Sequence, residues 1–79
     1  MIVRIGKHLR AQKYPRNPKR KTDGYGILSN GGDLLGEVHW FGRWRQYVFE
    51  PNVQTVFNDS CLTDLAAFLA RINVAHRQG

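Results

Sequence analysis

Apolar and polar positions alternate along the middle of this 79-residue chain, and the period changes near its C-terminus. YGILS (25–29) and LLGEVHWF (34–41) read as two strands flanking Asn30-Gly31-Gly32-Asp33. Asn-Gly and Gly-Gly reach the positive φ angles that hairpin turns require. A second turn is expected at Gly42-Arg43, after which RQYVF (45–49) returns as a strand ending before Pro51. NVQTVF (52–57) is expected to add another short strand, and IVRI (2–5) a short edge strand. From Asn58-Asp59-Ser60, which can cap a helix, the spacing lengthens to three and four. Leu62, Leu65, Leu69 and Ile72, joined by Cys61, Ala66 and Phe68, form an apolar stripe that predicts a helix over 59–77. Asp59 and Asp64 suit the positive start of that helix, and His76 and Arg77 its negative end.

The elements together predict an α+β fold. A small antiparallel β-meander of three to four strands carries one C-terminal helix packed on one face. One domain spans 1–79, divided into a basic N-terminal strand and arm (1–23), the meander (24–58) and the helix (59–77). A chain of this length buries only about 60% of its unfolded surface, so its nine aromatic rings carry much of the core.

Most of those rings sit in HWFGRWRQYVFEP (39–51). If Gly42-Arg43 is a two-residue turn, Phe41 opposes Trp44, Trp40 opposes Arg45 and Val38 opposes Tyr47. Alternation then places Val38, Trp40, Arg45, Tyr47 and Phe49 on one face, to meet Leu62, Leu65, Phe68, Leu69 and Ile72. Glu37, His39, Phe41, Trp44, Gln46, Val48 and Glu50 share the other. Trp40 is thus a core ring. Trp44, at the hairpin tip beside Phe41 and Arg43, is either a packing ring or a contact that stacks a base or anchors a partner.

Charge divides the chain as sharply as hydropathy does. The net charge is +6 and the pI about 10.1. Residues 1–22 carry Arg4, Lys7, Arg10, Lys13, Arg16, Lys19, Arg20 and Lys21 with no acid, whereas the remainder is slightly acidic. Such asymmetry points to a polyanionic partner, either nucleic acid or an acidic protein face. The bases from Arg4 to Lys19 recur every third residue, and Pro15 and Pro18 forbid a continuous helix. Polyproline II geometry would line such charges along one side, and fits the stretch around the two prolines. A helical turn fits Lys7–Lys13, and a solvated arm with accidental spacing fits the whole segment.

Candidate chemistry narrows the function further. His8, His39, Cys61 and His76 show no metal-ligand spacing. Ser60 with His39 or His76 lacks any nucleophile motif, and Cys61 lies on the apolar stripe, as a core thiol would. NGGD lacks the strand-to-helix setting of a phosphate loop, and the six acids do not cluster as a nuclease requires. The expectation is a protein without catalytic activity, metal or cofactor. A lone cysteine and the lack of a membrane-length apolar run point to a cytoplasmic setting.

The segment 36–72 resembles a family of small, mostly uncharacterised proteins encoded by bacteriophages and prophages. The pattern is W-[YF]-G-x-W-R-Q-Y, an aromatic-Pro segment, then T-x-[FW]-N-x-x-C-L-x-D and a helix. It is carried by Trp40, Phe41, Gly42, Trp44, Arg45, Gln46, Tyr47, Phe49, Pro51, Thr55, Phe57, Asn58, Cys61, Leu62 and Asp64. The resemblance covers about half the chain and leaves out the basic segment. It implies a phage or mobile-element origin and no particular activity. By analogy only, small proteins of that origin include inhibitors of host defence such as anti-CRISPR proteins.

Two functions fit these residues. In one, Lys7, Arg10, Lys13, Arg16, Lys19, Arg20 and Lys21 engage the phosphates of a nucleic acid or nucleoprotein complex while Tyr14, Phe41, Arg43 and Trp44 stack or anchor. In the other, the same surface grips an acidic host protein, with Phe41 and Trp44 as anchors and no direct nucleic-acid contact.

Overall fold

A computed structural model describes residues 2–15, 18–19 and 22–78. It holds five strands and one helix: β1 (Ile2–Arg4), β2 (Leu9–Lys13), β3 (Tyr25–Ser29), β4 (Leu34–Phe41), β5 (Gln46–Pro51) and α1 (Asp59–Gln78). The strands form one antiparallel sheet in sequential order, β1-β2-β3-β4-β5. The α+β meander with a C-terminal helix is the expected fold, with one more strand than expected.

The added strand is β2, which the basic spacing hides. In LRAQK, Leu9 and Ala11 are buried and Arg10 and Gln12 exposed, a period of two. This segment is therefore not the helical turn that fits Lys7–Lys13, while the polyproline II geometry expected around Pro15 and Pro18 involves Arg16 and Asn17, which lie outside the described residues. The chain from Leu9 to Lys13 belongs to the sheet, where Arg10 pairs with Arg4 and Leu28. Conversely, 52–57 forms no strand. Asn52 N–H bonds the Leu35 carbonyl, Gln54 takes a φ of 63°, and the turn brings Phe57 edge-on against Phe49 at 5.4 Å. Val53 and Val56 are left pointing outward.

The β3–β4 turn closes with Gly32 N–H on the Ser29 carbonyl, at a Gly32 φ of 94°. A bulge follows between Ile27 and Leu28. It sets Leu34 opposite Leu28, while Leu35 reaches the core. The β4–β5 turn has four residues rather than two. Trp44 N–H bonds the Phe41 carbonyl, Arg45 N–H bonds the Gly42 carbonyl, and Arg45 sits at φ 52°. Phe41 therefore pairs with Gln46, Trp40 with Tyr47 and Val38 with Phe49. The pairing differs from the expected one by two residues, an even slip that leaves every strand side chain on its expected face. Arg45 alone leaves the core set, because it lies in the turn.

The core lies between the sheet and α1. Ile5, Leu9, Ala11, Ile27, Val38 and Tyr47 meet Leu65 and Phe68, and Phe68 packs edge-on against Tyr25 at 5.2 Å. Asn58 caps the helix by accepting the Cys61 N–H at 2.8 Å. The buried stripe runs through Cys61, Leu65, Phe68 and Ile72, so Leu62, expected in the core, is 53% exposed. The helix starts near the β1–β2 turn, where the Asp64 carboxylate occupies the space a Cβ on Gly6 would need. It ends over β4 and β5, where His76 lies 4.4 Å from Trp40.

Candidate nucleic-acid interface

In a sequential meander, alternate connections fall at opposite ends of the sheet. The β2–β3 and β4–β5 connections thus share one end, and the C-terminus of α1 joins them through the Trp40–His76 contact. The basic segment is a loop held at both ends rather than a free arm. Tyr14 N–H bonds the Gly24 carbonyl at 2.8 Å, and the Lys13 ammonium pairs with Asp23 at 3.4 Å. Asp23 N–H also donates to the Tyr47 hydroxyl at 3.2 Å. The second Asp23 oxygen is buried with no hydrogen-bond partner among the described residues, above a hollow of about 210 Å³ lined by Tyr25, Tyr47, Ile72, Ala75 and His76.

At the same end the 42–45 turn carries Arg43 and Trp44 into solvent. Trp44 is 64% exposed and meets Phe41 edge-on at 5.0 Å. The two rings border a shallow hollow of about 330 Å³, completed by His39, Val48, Phe49 and Glu50. His39 Nε2 and Glu50 Oε1, 2.8 Å apart, fix one rim. Trp40, by contrast, lies on the helix side, edge-on to Tyr47 at 5.4 Å. The two tryptophans thus occupy opposite faces of one hairpin.

The expected binding residues do not all converge. Lys13, Tyr14, Phe41, Arg43 and Trp44 gather at this end, and Lys19 is exposed in the loop that begins there. Arg16, Arg20 and Lys21 lie outside the described residues. Lys7 is in the β1–β2 turn at the opposite end, where its carbonyl accepts Asn30 Nδ2 at 2.8 Å. Arg10 is mid-sheet beside Arg4. The period of three therefore does not make one charged stripe. Tyr14 lies on Gly24 and Gly26, and its hydroxyl bonds Glu37. Partial burial, the Glu37 charge and that hydrogen bond raise its pKa above 10.0.

His76 and Arg77 join the site without having been expected there. Helical spacing sets their place on the helix, and the packing of His76 against Trp40 and Tyr47 brings that end of α1 here. Among the described residues, no group of three His, Cys, Asp or Glu side chains could hold a metal ion, and no helix is long and apolar enough to cross a membrane.

No family model and no solved structure matches the chain. It is 27% identical over 62 residues to an uncharacterised 9.3 kDa protein of Acholeplasma phage L2, a match spanning 77% of this chain and 80% of that protein. That similarity supports a small phage-type protein.

Proposed function

We propose that this is a non-enzymatic phage-type accessory protein that binds nucleic acid, or a nucleoprotein complex of the host, at the end of the sheet carrying the basic loop and Trp44. One observation carries the reading: the topology sets both ends of a loop rich in lysine and arginine beside an exposed tryptophan–phenylalanine pair. Loop cations neutralise phosphates while a ring stacks on a base, the combination that holds single strands without sequence preference.

Titration of labelled single-stranded and duplex oligonucleotides, followed by fluorescence anisotropy over a salt series, tests it. Four neutralised phosphates predict about a 100-fold loss of affinity between low and physiological-to-moderate salt. Trp44→Ala weakens binding, and joint reversal of Lys19, Arg20 and Lys21 to Glu abolishes it, both with folding intact. Absence of binding at low salt, or binding indifferent to salt, removes the proposal.

A second reading follows from the hollow under Phe41 and Trp44, whose apolar lining suits an anchor side chain of a host protein. In that case the chain acts as a protein–protein inhibitor of a host defence complex. A partner that survives nuclease treatment in co-purification favours this reading over the first.

A further inference from the structure

Among the described residues no helix or strand covers the sheet face opposite α1, and its charges are arranged in an unusual way. One row across this face reads Arg4, Arg10, Leu28, Leu34, each directly opposite the next. The adjacent row reads Ile2, Gln12, Gly26, Glu37, Glu50. Arg4 thus faces Arg10 on β1 and β2, while Glu37 faces Glu50 on β4 and β5. Directly opposed like charges weaken a sheet, so each pair is unfavourable in an isolated chain. The Tyr14 hydroxyl and His39 relieve the acidic pair in part, and Arg4 Nε donates to the Gly6 carbonyl at 3.1 Å. Between the pairs the face is apolar. Leu34 is 45% exposed and touches the space over Gly26, with Tyr14 and Leu28 beside it.

The geometry points to a second copy of this chain seated on that face, related by a two-fold axis parallel to the strands and passing near β3. Such an axis lays β1 and β2 of one copy over β5 and β4 of the other. Each arginine pair then meets the partner's glutamate pair, twice per dimer, and the Tyr14–Leu28–Leu34 patches meet at the centre. The pairs are offset by one two-residue step, about 7 Å along the strand, a gap an arginine side chain can span. A two-fold axis perpendicular to the strands would instead set arginine on arginine and glutamate on glutamate. The face is therefore self-complementary in one orientation, as an isologous interface requires. A nucleic acid fits it poorly, because the β4–β5 half is acidic. The arrangement also carries both 42–45 turns to the same end of the dimer.

The inference is independent of the binding reading above, and its test contains no nucleic acid. Sedimentation equilibrium of the full chain is expected to give twice the 9.1 kDa monomer mass at high concentration. The double variants Arg4→Glu with Arg10→Glu, and Glu37→Arg with Glu50→Arg, are each expected to be folded by circular dichroism and monomeric. Mixed in equal amounts, they are expected to recover the dimer, since every contact between them is then of opposite sign. If the glutamate-to-arginine chain does not fold, the native chain decides: its dimer must weaken as salt rises. A native chain that stays at monomer mass, variants that remain dimeric alone, folded variants that fail to combine, or a native dimer indifferent to salt would each overturn the inference.

Discussion

Trp40 and Trp44 stand four positions apart in one hairpin and do opposite work. Trp40 is held between Tyr47 and His76 on the helix side, whereas Trp44 extends from the turn, 64% exposed, with Phe41 edge-on against it. Trp40→Ala is expected to cost about 3 kcal/mol, the lower end for deletion of a core aromatic. Trp44→Ala should stay within about 0.5 kcal/mol of the native chain. Chemical denaturation of the two variants checks both, and equal losses would place Trp44 in the core. The tyrosines offer a second check. Tyr14 and Tyr25 both titrate above 10.0, with burial the main cause in each. For Tyr25 the nearby Lys13 opposes the rise while Asp23 and Tyr47 add to it. A raised phenol pKa means the folded chain holds the proton more tightly. The stability these rings contribute is therefore complete below pH 10 and falls as pH climbs through their folded values. Ultraviolet titration of phenolate should show both midpoints raised, and Glu37→Gln should lower that of Tyr14 while leaving Tyr25 in place.

At the scale of elements, α1, β3 and β4 were legible in the sequence because each has local punctuation: Asn58 before the helix, Asn30-Gly31 between the strands. Removing that punctuation in Asn58→Ala should cost about 1 kcal/mol, read from thermal unfolding. β2 was obscured because positive charge dominates LRAQK, and its two buried residues, Leu9 and Ala11, are too few to establish a period. The four-residue turn was also hidden, since Arg45 adopts φ 52° without being glycine. Even so, the faces survived the error. An even change in turn length preserves the side of every residue, while an odd change would exchange core and solvent. Gly36 marks a close approach of β4 to β5. A Cβ there would meet the Glu50 carbonyl at 2.5 Å and the Phe49 ring at 2.8 Å. Gly36→Ala is therefore expected to destabilise by about 1–3 kcal/mol, the range of an overpacked core.

For the molecule as a whole, the sequence gives charge its sign but not its place. Eight bases precede the first acid, a pattern that suggests a single cationic arm, yet those among the described residues are distributed over both ends and one face of the sheet. Aromatic residues were easier to place, because strand alternation assigns a face before any tertiary contact is known. The candidate site was legible as a list of residues and only partly as a location, since sequential strand order is what brings the basic loop and Trp44 together. Asn73 was invisible for the same reason. Its side chain accepts the Tyr47 N–H at 2.6 Å and returns a bond to the Tyr47 carbonyl at 3.4 Å, a contact across 26 residues that no local pattern announces.

That pair of bonds has a consequence for how the protein behaves when crowded. The outer edge of β5 has Asn73 engaged on its backbone at Tyr47, and Pro51, which has no N–H to offer, at its far end. At the other edge β1, three residues long, ends the sheet with no such guard among the described residues. Strand-by-strand growth into a fibre needs two receptive edges on every molecule, so that each can be both host and guest. With one edge closed, joining through β1 ends with a pair. The helix that completes the core thus also terminates any chain of sheets.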